Sequence, residues 1–501
     1  MKLLLPESIK VGIVVRQSIS NSVWAYLGMA LGYVNVILLF PNLMDAGQFG
    51  LTRILLAVSM IAGQFSQLSV VNITIKFFPY FRNEEKKHNG FLFGALLLTG
   101  IGTLLTCLGL LVLKAPIVHA YIEKSELFVE NYNYLFLFLI FTVFYNVFDS
   151  YCRSLFKTTF QQFTKEVLLR VLIAGLLVAY YFDWIDFDGF LFWYVLAYGS
   201  STVLVLLYTI KLGQFFLKPN FSMLTKKFLK EIGSYGVFTI LSTVSIMLVN
   251  RIDVVLIGYF IGLDDIAIYS VSFYVATVVA IPARAIHLIV SPIIAESWKQ
   301  NNLEKISELY SKTAINQLVM GLLLFLGIWV NVENLFHMLP SEYANGKYVI
   351  LFIGLARLIN MAAGINGLII LTSKWYRYDM FFNLFLVVVV IVTDVIFIPL
   401  YGIDGAALAS LVTIVVFNII KFSFLKIKCG MQPFTTKSLL AILIAALTFF
   451  VVSKIPVSQN FIVDILARST VATVLFVPLV YFLKISEDIN SVIEKFLRIN
   501  K

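Results

Sequence analysis

Five arginines lie within stretches of the chain that are otherwise almost wholly apolar. They are Arg53, Arg251, Arg284, Arg357 and Arg468. A charged side chain at the centre of a lipid-embedded helix costs about 2.5–3.5 kcal/mol on insertion scales, so it is usually kept for a watery cavity, a partner or a substrate. A guanidinium binds phosphate and carboxylate oxygens through two parallel hydrogen bonds. The arginines therefore indicate an anionic cargo, with phosphate as the favoured group.

Two aspartates lie in the same apolar setting. Asp253 follows Arg251 by two residues, so the two side chains leave a helix on different faces and cannot pair with each other. Asp394 stands in a run rich in valine and isoleucine. A carboxylate at such a depth can take up H⁺ or Na⁺ and couple transport to an ion gradient, whereas the ordinary alternative is a salt bridge or a helix-end role. Both residues are candidate ion-coupling groups.

The composition places the chain among multi-pass membrane proteins. Of its 501 residues, 60% are hydrophobic and 13% are charged, against about 25% charged residues in soluble domains. The net charge of +10 does not indicate nucleic acid, because the basic residues lie in short segments between apolar runs. The four histidines have no metal-ligand spacing and the three cysteines no expected disulfide partner. We expect no metal and no cofactor.

The hydropathy pattern predicts an all-α protein with fourteen transmembrane helices, since each span needs roughly 20 apolar residues. The predicted spans lie near residues 19–40, 51–75, 91–113, 132–151, 167–182, 190–210, 234–258, 267–290, 311–332, 348–371, 380–398, 405–425, 438–453 and 464–483. The fifth and thirteenth are short, and a twelve-span interpretation is the main alternative.

The basic residues are strongly biased to one side of these spans. The terminal segments and the loops on their side carry 29 of the 38 lysines and arginines, whereas the opposite loops carry only Lys114, Lys124, Lys347 and Lys454. Short loops with an excess of Lys and Arg stay in the cytoplasm. The bias predicts that both termini are cytoplasmic.

The two halves of the chain resemble each other weakly and in phase. Four short matches recur in order at offsets between 213 and 220 residues: Asp45–Gly50 with Asp265–Ser270, Phe78–Pro79 with Ser291–Pro292, Leu155–Lys157 with Thr372–Lys374, and Asp188–Gly189 with Asp404–Gly405. Because each half holds six helices, both insert in the same direction, as parallel repeats with the binding site between them. The predicted domains are an N-lobe (1–215), a C-lobe (220–430) and a segment (431–501) with two further helices and a cytoplasmic tail.

Two six-helix repeats followed by two extra helices resemble the multidrug/oligosaccharidyl-lipid/polysaccharide (MOP) exporter superfamily, and within it the bacterial polysaccharide flippases. The segments that carry the resemblance are Leu43–Leu51, Asn250–Gly258 leading into Ala267–Tyr269, and Tyr401–Ala409. The resemblance implies a flippase of the bacterial inner membrane. It would move an undecaprenyl-pyrophosphate-linked oligosaccharide from the inner to the outer leaflet for cell-surface polysaccharide, by alternating access. Glycosyltransferases and a polysaccharide polymerase would be its partners, besides membrane lipid.

Depth separates the arginines. Arg357 lies about nine residues into the tenth predicted helix, about 14 Å at 1.5 Å per residue, near the middle of a hydrocarbon core about 30 Å thick. Arg53 and Arg251 lie toward the outer side and Arg284 near the inner end of its predicted helix, where snorkelling is the alternative. Arg468 lies in the last helix, outside the repeat, which leaves it out of the site. The predicted substrate-binding residues, which would line a cationic central cavity, are Arg53, Arg251, Arg284 and Arg357.

Three other functions stay open at this point. A lipid II flippase for peptidoglycan precursors would use the same chemistry and the same fourteen-helix architecture. A cation-coupled drug exporter of the same fold should favour acids over arginines in its cavity. A membrane enzyme, such as a polyprenyl-dependent glycosyltransferase, needs a sizeable outer loop or a catalytic acid motif, and Asp186–Asp188 is the only Asp-x-Asp candidate. Because no Gly-x-x-x-x-Gly-Lys-Ser/Thr motif is present, transport would depend on an ion gradient, the membrane potential or substrate consumption outside, and we do not expect an enzyme.

Overall fold

The protein is built from helices. A computed structural model describes residues 11–220 and 225–499, and every regular element in these two ranges is helical, which confirms the all-α prediction. Ten of the helices there are long and apolar enough to cross a membrane, or eleven when the bent pair Ser341–Ala362 and Asn366–Thr372 is taken as one span. The chain is therefore a multi-pass membrane protein. The count of fourteen spans stays a prediction.

The smaller number has two sources in the helices themselves. The predicted eleventh and twelfth spans lie within one helical element, Tyr376–Cys429, of 54 residues, in which two helices meet at the non-helical residue Gly402. The predicted fifth and thirteenth spans correspond to the helices Leu169–Tyr181, of 13 residues, and Thr436–Val452, of 17 residues, which are shorter than a full span. Each of the fourteen predicted segments nevertheless overlaps a helix of the structure.

Packing divides the chain into two compact units, and the division falls between Ala267 and Ile268. The helix Lys226–Phe260 belongs to the first unit because it packs against helices 46–66 and 70–81. The predicted boundary near residues 215–220 does not coincide with this division. The lobes 1–215 and 220–430 were predicted from the repeat, and they stay a prediction.

The first unit contains α-helices α1 to α12 and the start of α13. Their bounds are α1 Val11–Tyr33, α2 Phe40–Leu43, α3 Ala46–Ser66, α4 Val70–Phe81, α5 Phe91–Val112, α6 Lys114–Tyr121, α7 Glu126–Glu130, α8 Tyr134–Ser154, α9 Thr159–Phe163, α10 Leu169–Tyr181, α11 Phe187–Lys211, α12 Lys226–Phe260 and α13 Leu263–Thr277. Two π-helices, Val34–Leu39 and Thr164–Leu168, continue α1 and α9.

The second predicted span, 51–75, is wrong as a single helix. The chain breaks between α3 and α4, where Leu68 and Ser69 have φ of 43° and 59°. Left-handed backbone is costly for residues with a side chain, so the surroundings must stabilise it. Ser69 Oγ donates to the carbonyl of Gly236 at 2.9 Å and accepts from Thr239 Oγ1 at 2.8 Å. These contacts with α12 stabilise the break, and hydropathy cannot reveal them.

The glycines of the segment Leu43–Leu51 allow a close approach of backbone. A Cβ at Gly50 would lie 1.9 Å from the carbonyl oxygen of Leu263, and a Cβ at Gly47 would lie 2.8 Å from Asp264 Oδ1. Because lipid tails are as apolar as side chains, membrane helices associate through such small residues rather than through the hydrophobic effect. The segment is thus a packing element that joins the start of α3 to the start of α13.

We expect the substitution Gly50→Ala to lower the melting temperature of the purified protein, because the added methyl cannot fit against the Leu263 carbonyl without a backbone shift. Overpacking of this kind costs roughly 1–3 kcal/mol. Gly109→Ala is the matched control, since its Cβ would meet nothing within 4 Å. Equal melting temperatures of the two variants in detergent would contradict this packing role.

The second unit contains the rest of α13 and helices α14 to α22. Their bounds are α14 Ile281–Lys299, α15 Leu303–Trp329, α16 Val332–Phe336, α17 Lys347–Ala362, α18 Asn366–Thr372, α19 Tyr376–Cys429, α20 Thr436–Val452, α21 Phe461–Phe482 and α22 Glu487–Ile499. Helices α20 and α21 pack against each other and against α15. Their contact is apolar and includes Ala441, Ile444 and Phe476.

One helix end and one helix junction in this unit can be compared with the sequence prediction. The predicted eighth span ends at residue 290, but α14 passes through Pro292 and ends at Lys299. Hydropathy ends a span where polar residues begin, although the hydrogen-bonded helix continues. In α19 the predicted break between two helices is present at Gly402, where φ is 62° and ψ is −139°, a conformation essentially restricted to glycine.

Candidate functional site

Arg53 lies on α3 among aromatic rings. Its Cζ atom is 4.8 Å from the ring centroids of both Phe40 and Phe49, which stack on each other at 4.5 Å. The Nε atom is buried and has no hydrogen-bond partner among the described residues. A ring face attracts a guanidinium but neutralises its charge less than a carboxylate does. Arg53 therefore keeps hydrogen-bond donors that can serve an anion.

Arg251 and Asp253 lie on α12, which packs beside α3. Asp253 is buried and accepts a hydrogen bond from the Val254 amide at 2.9 Å, whereas Arg251 is half-buried. A Cβ at Gly258 would lie 2.6 Å from Ile54 Cδ1. This contact places Gly258 and Ile54 at the same level of the two helices. Arg251 lies seven residues before Gly258, about 10 Å away along α12 at 1.5 Å per residue. The first unit thus holds Arg53 and Arg251 on neighbouring helices at different levels.

In the second unit, Arg357 on α17 lies near an aromatic ring as Arg53 does. Its Cζ atom is 5.3 Å from the centroid of the Phe273 ring, and the side chain is half-buried. Asp394 is fully buried on α19, which packs against α17. The neighbouring Thr393 hydroxyl lies 3.4 Å from that of Thr413. The parts of α19 before and after Gly402 thus pack against each other, and Asp394 is a buried acid in the first of them.

Arg284 differs from the other predicted arginines. Its side chain is exposed, and it lies 15 residues before the end of α14 at Lys299, about 22 Å at 1.5 Å per residue. Arg284 therefore lies in the first turn of α14 rather than near its end, because the helix continues beyond the apolar run, and its depth in the membrane stays a prediction. One turn later, His287 Nε2 is buried without a hydrogen-bond partner in the described part of the chain.

Arg468 has a structural role. Its Nε donates to Asp464 Oδ2 at 2.6 Å, and its Nη2 donates to the Ile455 carbonyl at 2.9 Å. The carboxylate of Asp464 also accepts hydrogen bonds from Asn334 at 2.6 Å and from the Ser458 amide at 3.1 Å. The pair joins α21 to the loop before it and to α16.

We expect Arg468→Ala to lower the unfolding free energy by roughly 1–3 kcal/mol, because it leaves a buried carboxylate with one donor fewer. Transport per folded molecule should be unchanged. Thermal unfolding of purified protein measures the first effect and reconstituted transport the second. The control is Lys454→Ala, in the same loop region. A variant as stable as the wild type would contradict the structural role.

Sequence reasoning missed two ion pairs within helices because it assigned their basic residues to inner loops. On α10, Arg170 lies 2.8 Å from Glu166, and its carbonyl accepts a hydrogen bond from Asn35 at 2.8 Å. On α19, Lys421 lies 2.8 Å from Asp379. The helical spacing of Glu166 and Arg170, four residues apart, was the one signal that could have revealed the first pair.

The Asp-x-Asp sequence at residues 186–188 begins a helix. Asp186 is the N-cap of α11, and its Oδ1 accepts a hydrogen bond from the Gly189 amide at 2.8 Å. This is the usual role of an aspartate before a helix. Within the described ranges, no group of three or more His, Cys, Asp or Glu side chains could hold a metal ion.

Comparison with known proteins gives both a family and a fold. The model of a family described as polysaccharide biosynthesis protein matches residues 14–298. The structure is similar to that of lipid II flippase MurJ in an inward closed conformation, with a TM-score of 0.72 and 12% identity over 93% of this chain and 98% of that one. No curated protein sequence matches the chain.

Two transporter structures are similar as well. One is the inward-facing conformation of a multidrug resistance MATE family transporter of the MOP superfamily, with a TM-score of 0.55 and 16% identity over 83% of this chain and 98% of that one. The other is the Vibrio cholerae MATE transporter VcmN, with a TM-score of 0.54 and 14% identity over 83% and 99%. At such identities the likeness shows the fold.

Proposed function

This chain belongs to the polysaccharide biosynthesis protein family and to the MOP exporter superfamily, and from that premise we propose that it is a flippase for a lipid-linked oligosaccharide. Its cargo would be an undecaprenyl-pyrophosphate-linked glycan, which it moves from the inner to the outer leaflet for cell-surface polysaccharide. It would act by alternating access in a bacterial inner membrane, with both termini in the cytoplasm.

The observation that carries this proposal is the setting of Arg53. Its guanidinium lies against two phenyl rings, 4.8 Å from each. A diphosphate entering hydrocarbon loses its hydration, and charge-assisted hydrogen bonds must replace it. Arg251, Arg284 and Arg357 would supply further donors at other depths. A cationic drug would be repelled by the same groups, which argues against a drug exporter.

Energy would come from H⁺ or Na⁺ through Asp253 and Asp394. Both carboxylates are buried, at 5% and 0% exposure, and a buried acid in a membrane helix is a functional candidate by default. Glycosyltransferases and a polymerase would act before and after translocation. The protein itself would not break or form bonds.

A lipid II flippase is the second candidate, because the MurJ structure covers 93% of this chain while the two MATE transporters above cover 83% each. Helices α20 and α21 pack against α15 within the second unit. The cargo distinguishes the two candidates, since both carry a diphosphate.

Reconstitution in proteoliposomes tests the proposal. Lipid-linked oligosaccharide or lipid II is placed in one leaflet, and an impermeant glycan-modifying enzyme reports its arrival in the other. We expect protein-dependent transfer of the oligosaccharide, faster than that of lipid II, with no change in glycan length. Lengthening or cleavage of the glycan would contradict a transporter. Faster transfer of lipid II would favour the second candidate.

A further inference from the structure

A lysine ammonium is buried in the second unit. Lys421, near the end of α19, is 5% exposed. Its Nζ atom lies 2.8 Å from Oδ1 of Asp379, which is in the first turn of α19, on the other side of Gly402. The Phe417 ring lies 3.9 Å from Nζ. A Cβ at Gly367 would lie 3.0 Å from Nζ, so the absence of a side chain there leaves room for the ammonium.

Amide side chains surround this ion pair. Asn383 Nδ2 donates to Asp379 Oδ2 at 3.0 Å. Next to Gly367, Asn366 Nδ2 donates to Asn418 Oδ1 at 2.9 Å, and Asn418 Nδ2 donates to Asn360 Oδ1 at 3.3 Å. Together these groups form a polar cluster inside an otherwise apolar bundle.

A buried ion pair is weak evidence for stability, because desolvation of the two charges costs as much as their attraction returns, or more. An apolar pair of similar size would stabilise the bundle as well. Stability therefore does not explain the buried cation at this position, and a functional role is the alternative. A carboxylate and a phosphate both present anionic oxygens that an ammonium binds. The Asp379 carboxylate therefore holds a position that another anion can occupy.

The helix beside the pair is broken. Helices α17 and α18 meet at an angle of 52°, and Gly364 in the break has φ of 63°. The break lies directly before Asn366 and Gly367, which contact the pair's surroundings. Residues at such breaks absorb backbone rotation when a site opens. Movement of α18 would expose Lys421 without unfolding α19.

We propose that Lys421 forms an anion-binding site for a phosphate-class group, and that the Asp379 carboxylate occupies it until that group arrives. The inference rests on the proposed function, since the arriving group would be the diphosphate of the lipid-linked glycan. The exchange is purely ionic: one anion leaves the ammonium as another binds. Asp379 then pairs with Asn383 alone. A neutral lipid, which offers no anion to replace the carboxylate, stays out of the site.

Binding of inorganic pyrophosphate to the full-length protein in phosphatidylcholine nanodiscs tests the site. We expect Asp379→Asn to tighten pyrophosphate binding about tenfold, because it removes the competing carboxylate. Lys421→Gln alone should lose pyrophosphate binding, and combined with Asp379→Asn it should abolish the gain. Lys426→Gln is the control, as this lysine is exposed five residues further along α19 and should bind like the wild type.

The double variant Asp379→Asn/Lys421→Gln separates the site from a structural pair, because it leaves no lone buried charge and should fold with a near-normal melting temperature. A folded double variant that binds pyrophosphate and flips glycan like the wild type would overturn the proposal. Loss of pyrophosphate binding in that variant supports it.

Two further arms identify the source of the anion. Competition by farnesyl diphosphate would indicate the substrate headgroup, whereas competition on replacing the bilayer with phosphatidylglycerol would indicate a lipid phosphate. Either result supports a phosphate site at Lys421. Wild-type protein that binds pyrophosphate through Lys421 but flips no lipid-linked glycan would contradict the proposed function and leave the site intact.

Discussion

Replacement of Arg357 by alanine is expected to reduce translocation of the lipid-linked glycan roughly tenfold to more than a hundredfold. Hydrogen bonds to charged groups contribute about 1.5–3 kcal/mol each, and 1.4 kcal/mol corresponds to a factor of ten. The guanidinium lies near the middle of α17, half-buried and 5.3 Å from the centroid of the Phe273 ring. Initial rates in proteoliposomes with one defined substrate measure the effect.

Arg357→Lys should recover only part of the lost rate, because an ammonium lacks the planar fork that binds two phosphate oxygens. Arg377→Ala is the matched control, since Arg377 belongs to the same unit and its side chain is exposed. Membrane insertion and melting temperature should be similar in all three variants. Wild-type translocation by Arg357→Ala would show that this residue does not bind the cargo.

Replacement of Asp394 by asparagine is expected to uncouple transport from the ion gradient. The carboxylate is fully buried in α19, and an amide of the same size cannot take up a proton or neutralise Na⁺. Downhill flipping should persist, whereas the acceleration caused by an imposed H⁺ or Na⁺ gradient should disappear. The measurement compares rates with and without each gradient in the same proteoliposomes.

Asp404→Asn serves as the control for this variant, because the residue lies ten positions further along α19 and is only half-buried. It should keep the response to the gradient. A response that survives in Asp394→Asn and is lost in Asp253→Asn would move the coupling role to the first unit.

Hydropathy predicted where helices lie because the bilayer imposes one length and one composition on every span. It could not predict the break at Leu68 and Ser69, which depends on hydrogen bonds from α12, 167 residues away in sequence. Nor could it predict that α14 continues through Pro292. These features come from tertiary contacts and from polar helix turns, which a sliding average of hydropathy does not represent.

The charged residues of the site were predictable in part for the same reason. Arg53, Arg251 and Arg357 stand out because they lie in runs that are mostly apolar. Lys421 does not, since other lysines follow it closely, and its burial becomes visible only when Asp379 and Gly367 are brought beside it. Because Lys421 lies near the end of an apolar run, hydropathy assigns it to a loop, whereas the structure places it within a helix.

The thiol of Cys152 gives this protein a built-in reporter of opening. It is fully buried on α8, with Sγ 3.3 Å from the Thr209 hydroxyl, whereas Cys107 and Cys429 are partly accessible. A maleimide should therefore modify those two at once and reach Cys152 only when α8 and α11 separate. With Cys107 and Cys429 replaced by serine, the alkylation rate would measure how often the first unit opens in a native bilayer. A change of this rate on addition of substrate or of an ion gradient would show that either one shifts the opening of the first unit.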